Sequence, residues 1–116
     1  MNNILKTNGL LHGCDYNPEQ WEDVPGIWDE DCRLMRQAGI NTVALGIFSW
    51  SRLEPSEGQY DLDWMADILD RLHESGVSVW LATPSGAKPN WLALAHPEVR
   101  RCQPSGHREH QAGRHN

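Results

Sequence analysis

The sequence predicts an α/β chain built on a parallel sheet, and three observations carry that expectation. The run Thr42-Val43-Ala44-Leu45-Gly46-Ile47-Phe48 is continuously apolar with β-branched members, which points to a strand covered on both faces, the habit of parallel sheets. Ala38-Gly39-Ile40 and Ser75-Gly76-Val77 repeat the order helix, glycine, strand 37 positions apart, the rhythm of successive βα units. Phe48, Trp50 and Arg52 stand just past the carboxyl end of the central strand. That is the edge at which barrels and open α/β sheets hold ligands.

Each element follows in order. Gly9-Leu10-Leu11-His12-Gly13-Cys14-Asp15 is expected as the first strand, and Tyr16-Asn17-Pro18-Glu19-Gln20-Trp21 as a loop of turn formers and aromatics. A helix is expected over residues 25–38, where proline suits the first turn and Trp28, Cys32, Met35 and Gly39 recur at helical spacing. Asp29, Glu30 and Asp31 lie near its amino end and Arg33 and Arg36 later, the arrangement that the helix dipole favours. Gly39 ends it in the manner of a left-handed cap. Residues 40–48 form the second strand. Asp61 is expected to cap a second helix over 62–75, with Leu62, Met65, Leu69 and Leu72 as its buried stripe and Gly76 as its stop. Residues 77–83 make the third strand. Residues 89–95 are expected as a short helix stopped by Pro97, and from Arg100 onward the chain is polar and lacks apolar periodicity.

Composition narrows the function. The 116 residues have room for one small domain, whereas a full (β/α)8 barrel needs about 250 residues. Three strands would leave sheet edges and helix faces uncovered, so the chain reads as part of a larger structure. The net charge is −6. Residues 1–99 hold 6 Lys/Arg against 15 Asp/Glu, and residues 100–116 hold 4 Arg against Glu109. An acidic body disfavours nucleic acid as a partner. No run approaches the roughly 20 apolar residues of a membrane span, and no secretory signal pattern opens the sequence. Cys14, Cys32 and Cys102 fit no disulfide framework, so a reducing, cytoplasmic setting is expected. Six Trp invite sugar stacking, but core packing is the commoner use of each.

Three stretches carry a resemblance: Gly13-Cys14-Asp15-Tyr16-Asn17-Pro18-Glu19-Gln20-Trp21, Leu34-Met35-Arg36-Gln37-Ala38-Gly39-Ile40-Asn41-Thr42-Val43, and Gly46-Ile47-Phe48-Ser49-Trp50-Ser51-Arg52-Leu53-Glu54-Pro55. It continues through Asp70-Arg71-Leu72-His73, Leu81-Ala82-Thr83-Pro84, Pro89-Asn90-Trp91-Leu92 and His96-Pro97-Glu98. Together these resemble the amino-terminal part of the family-42 glycoside hydrolases, over nearly the whole chain. The resemblance implies a (β/α)8 catalytic barrel, of which residues 1–116 would be the amino-terminal part, about the first three βα units. It further implies a β-galactosidase that hydrolyses terminal non-reducing β-D-galactose with retention, acts on galactosides or galacto-oligosaccharides, needs no cofactor and is homo-oligomeric. A barrel glycosidase of another sugar specificity, or a non-enzymatic truncated gene product, are the alternatives.

One site residue is carried across. The family has a substrate-contacting Arg in the loop after the third strand, and Gly113-Arg114-His115-Asn116 aligns with the start of that element. Arg114 is therefore expected to bind the galactoside, its guanidinium offering a rigid fork of donors to sugar hydroxyls. The family's acid/base Glu follows an Asn after the fourth strand, and no Asn-Glu pair occurs here, so no catalytic carboxylate is carried across. Glu54 is read as a loop or capping residue, and Asp15 as a shaper of the site floor. Some family members bind zinc through cysteines just past this loop. Cys102, His107, His110 and His115 lack the paired spacing of such sites, and no metal is expected.

Overall fold

The computed structural model describes residues 9–108. Three strands, β1 (Gly13–Tyr16), β2 (Thr42–Leu45) and β3 (Ser78–Leu81), form one parallel sheet in the order β1-β2-β3. Helix α1 (Ile27–Ala38) joins β1 to β2. Between β2 and β3 run the short α2 (Trp50–Leu53) and the longer α3 (Asp63–Glu74). Helix α4 (Asn90–Ala95) follows β3. The α/β class, the parallel order and the alternation of strand and helix agree with the sequence expectation.

The two glycine stops are one device used twice. The Gly39 amide donates to the Arg36 carbonyl at 3.2 Å, and Ile40 donates to Met35 at 2.9 Å. After α3 the pattern recurs: Gly76 donates to His73 at 3.0 Å and Val77 to Leu72 at 2.9 Å. These paired bonds are the Schellman arrangement, and the glycine φ of 74° at Gly39 and 75° at Gly76 is the left-handed conformation it requires. Both caps feed directly into a strand. Asn41 then ties the second unit to the first, since its Oδ1 accepts from the His12 amide at 2.7 Å and its Nδ2 donates to the Leu10 carbonyl at 2.8 Å.

The core lies on one face of the sheet. Cys32 and Met35 of α1, Val43 and Leu45 of β2, Trp64, Met65, Ile68 and Leu72 of α3, and Val77 form a single buried cluster. Ion pairs close its rim: Arg71 of α3 binds Asp29 of α1 and Asp67 one turn away, with its guanidinium over the Trp28 ring. The Tyr16 hydroxyl donates to Asp31 at 2.9 Å. Burial first, and then this bond to a carboxylate, push the phenol pKa well above its ordinary value.

Three expectations are corrected. Coverage on both faces of the sheet is not found among the described residues, because α1 and α3 pack on the same side and β2 alternates between half-buried and buried positions. Asp61 does not cap α3: Leu62 occupies the cap position without a side-chain bond, and the Asp61 carboxylate pairs with Arg52 instead. In the expected stripe of α3, Met65 and Leu72 are buried and Leu69 packs against the core, but Leu62 does not. Leu62 precedes the helix at its cap position and is 56% exposed, while Trp64 and Ile68 join the buried face.

Candidate functional site

The carboxyl ends of the three strands open at one edge of the sheet, and the loops leaving β2 and β3 are fastened to each other there. The Ala82 amide donates to the Leu45 carbonyl at 2.9 Å, and the Gly86 amide to the Ile47 carbonyl at 3.2 Å. Gly86 has no room for a side chain. A Cβ there would lie 2.9 Å from the Ile47 carbonyl oxygen and 3.0 Å from Cδ1 of Phe48. Ser49 is fully buried, and its hydroxyl donates to the Gly46 carbonyl at 2.9 Å, closing the turn out of β2. Phe48 is left exposed between these fastenings.

Arg52 and Glu54 turn out to be structural anchors of this loop. The Arg52 guanidinium binds Glu22 of the β1 loop at 3.0 Å and Asp61 ahead of α3, and its cation lies 5.2 Å from the centre of the Trp64 ring. It thus spans three segments, with Nε on Glu22 and one Nη on Asp61. The Glu54 carboxylate is almost wholly buried and accepts from Trp50 Nε1 at 2.8 Å and from the Gly58 amide at 2.9 Å. Donation from Trp50, and then from Gly58, holds its carboxyl below the usual range against the opposing effect of burial. A carboxylate so occupied is a poor nucleophile or acid, in keeping with its reading as a loop residue.

The uncovered face of the sheet offers different chemistry. In the parallel register Asp15 pairs with Ala44 and Ala44 with Trp80, so the three side chains form one row on the same face. Asp15 and Trp80 are exposed, with a half-buried methyl between them. A carboxylate and an indole face flanking a small residue suit a polar ring with an apolar side. In the loop after β1, Asn17 Oδ1 and Glu19 Oε2 are buried without a hydrogen-bond partner among the described residues. Burial raises the Glu19 pKa. Sequence reasoning passed over Glu19, since only its burial distinguishes it from other loop carboxylates.

Four of the six tryptophans serve the fold. Trp64 and Trp28 pack in or against the core, and Trp50 and Trp91 donate to Glu54. Trp21 and Trp80 are exposed. Arg114, the expected galactoside contact, lies outside the described residues, as do His110 and His115. Cys102 and His107 are exposed, and no cluster of three or more His, Cys, Asp or Glu suited to a metal occurs among the described residues. No helix among them is long and apolar enough to cross a membrane.

Comparison with known proteins gives this edge its context. The glycoside hydrolase family 42 model, described as beta-galactosidase, matches residues 15–116. Beta-galactosidase Pbg of Clostridium perfringens is 51% identical over 111 residues, which is 96% of this chain and 16% of that relative. Beta-galactosidase GanA of Bacillus subtilis is 50% identical over 107 residues, again spanning 16% of its length. Among solved structures, the cold-adapted beta-galactosidase from Rahnella sp. R3 superposes with a TM-score of 0.90 at 52% identity, covering 96% of this chain and 16% of that one. Gan42B, a beta-galactosidase of the same family from G. stearothermophilus, gives 0.86 at 47% identity, covering 91% and 16%. The chain therefore spans about one-sixth of the length of its relatives, in register with their sequence and their fold, and it belongs to glycoside hydrolase family 42, the beta-galactosidases.

Proposed function

We propose that this chain is the amino-terminal part of the (β/α)8 catalytic barrel of a retaining β-galactosidase, supplying its first three βα units and one wall of its mouth. The observation that carries the reading is the convergence of the β2 and β3 loops at one sheet edge within a chain half-identical to β-galactosidases. In the intact protein the substrate is a galactoside or galacto-oligosaccharide ending in a non-reducing β-D-galactose, and the setting is cytoplasmic and homo-oligomeric.

Retention needs two carboxyl groups about 5–5.5 Å apart, one protonating the leaving oxygen and one attacking the anomeric carbon. Glu54 is tied up by two donors, and the catalytic mutant of Gan42B replaces a glutamate far beyond the length of chain matched here. The residues of this chain bind and orient. The bare row of Asp15 and Trp80 faces the barrel interior, and Arg114 donates to the galactose hydroxyls. No redox cofactor enters such a mechanism, because acid catalysis and a carboxylate nucleophile suffice.

The test is a chimera in which residues 1–116 replace the matching segment of the Rahnella enzyme. It is expected to hydrolyse a chromogenic β-galactoside, while the 116-residue chain alone gives only the buffer rate. A folded but inert chimera, or turnover by the chain alone, would sink the reading. Within the chimera, Arg114→Ala removes a charge-assisted donor and is expected to lower kcat/KM about ten- to a hundred-fold. Arg114→Lys is expected to rescue poorly, since an ammonium lacks the planar fork. A loss of less than about two-fold on Arg114→Ala would remove Arg114 from the site and leave the family assignment standing.

A further inference from the structure

One of the residues on which the loops after β2 and β3 meet, Glu54, sits six positions from an exposed aromatic ring. Glu54 takes three N–H donors: its carboxylate accepts from Trp50 and from the Gly58 amide, and its backbone carbonyl accepts from Trp91 Nε1 at 2.8 Å. Trp91 lies on α4, in the loop after β3, so this last bond crosses from one loop to the other. Helix α4 is seated by Pro89 and Ala93, both at most 2% exposed. The second crossing is at the strand ends, where Gly86 donates to Ile47 and abuts the Phe48 ring.

Phe48 stands between these two crossings. It is 44% exposed, yet its neighbours in the chain are fixed: Ser49 is fully buried and bonded to Gly46, and α2 begins at Trp50, whose indole is held by Glu54. Among the described residues the ring rests against Gly86, and polar fastenings fix the backbone that carries it. Two N–H donors on its carboxylate and one on its carbonyl tie Glu54 to three separate points of these loops.

We infer that Glu54 is a positioning residue that locks the β2 and β3 loops together and thereby fixes Phe48 as an aromatic face for a pyranose ring of the substrate. This rests on the glycosidase reading above. The axial C–H bonds on one side of a galactopyranose form an apolar patch that an aromatic ring matches. A ring held in place loses less freedom on stacking than a free one.

Two measurements test the inference separately from that reading. Phe48 is the only phenylalanine in the chain, so ring-labelled phenylalanine gives one signal in the 116-residue protein. Trp50 donates to Oε2 and Gly58 to Oε1, so Glu54→Gln places an NH2 donor against one of those two N–H groups. It is expected to move the Phe48 ring signal together with the Trp50 and Trp91 indole N–H signals. Trp91→Phe, which leaves the carboxylate intact, is expected to move the Phe48 signal as well. A Phe48 signal unmoved by both variants overturns the inference, whatever the enzyme assay gives.

The second measurement is a double-mutant cycle in the active chimera. Phe48→Ala and Glu54→Gln are each expected to raise KM for a galacto-oligosaccharide about three- to tenfold with kcat within about twofold. The double variant is expected to be no worse than Phe48→Ala, because both act through one ring. If Glu54→Gln fails to fold, Trp91→Phe takes its place in the cycle. Additive losses, or a fall in kcat at constant KM, overturn the positioning role. An inert parent chimera counts against the glycosidase reading, and the Phe48 spectrum then decides the coupling by itself.

Discussion

The two faces of the three-stranded sheet are built from alternate residues of the same strands and have little in common. On one face Val43 and Leu45 are 1% and 0% exposed beneath α1 and α3. On the other, Trp80 is 58% exposed beside Asp15 and Ala44. The first face contains what holds these residues together, and the second carries side chains that the described fold does not use. Adjacent positions such as Ala44 and Leu45 therefore answer to different demands, one to space in front of the sheet and one to packing behind it.

Substitution is the most direct way to break that comparison. Leu45→Ala deletes a fully buried side chain between two helices and is expected to cost about 2–5 kcal/mol, read as a lower urea midpoint by tryptophan fluorescence. A cost near zero would mean that the covered face is not a packed core.

An intermediate effect is expected at Tyr16, on the rim of the covered face. Its pKa is raised by burial and by its bond to Asp31. A phenol that binds its proton more tightly in the folded state contributes stability that is full below its unfolded pKa of about 10 and is lost as pH climbs past that value. Melting temperature is expected to fall more steeply above pH 10 in the parent than in Tyr16→Phe. At neutral pH that variant should lose about 1 kcal/mol with its hydrogen bond. Parallel pH profiles would place Tyr16 outside the core.

Trp80→Ser is the smallest expected change, within about 0.5 kcal/mol by the same urea titration, as for exposed positions generally. A large loss there would show that the bare face packs against something within the chain.

The elements were legible wherever periodicity had length to work with. Helix α1 and the short α4 fall within about two residues of their expected bounds, and each strand lies almost wholly inside the run that marked it. Helix α2 was missed because four residues hold no full apolar period. Met65, Leu69 and Leu72 of α3 follow from helical spacing, whereas Leu62 falls at the cap and Trp64 and Ile68 widen the buried face beyond the leucine stripe. At the mouth, Arg52 looked like a ligand residue because its partners, Glu22 and Asp61, become neighbours only once the loops fold together. Trp91 and Glu54 are 37 positions apart, and nothing in either residue names the other. The row of Asp15, Ala44 and Trp80 depends on which strands pair and on their exact register, and no one of the three residues signals the other two.

The twin glycine caps have one more consequence. Each ends a helix just ahead of a strand, at a point where the few residues between cap and strand decide which face every later side chain meets. Gly39 leads to Thr42 and Gly76 to Ser78, and a single inserted residue after either would invert the strand beyond it. After Gly39 such an insertion would turn Leu45 toward the bare face and Ala44 toward the helices. The reading frame of side chains, like that of codons, tolerates substitution far better than a shift by one.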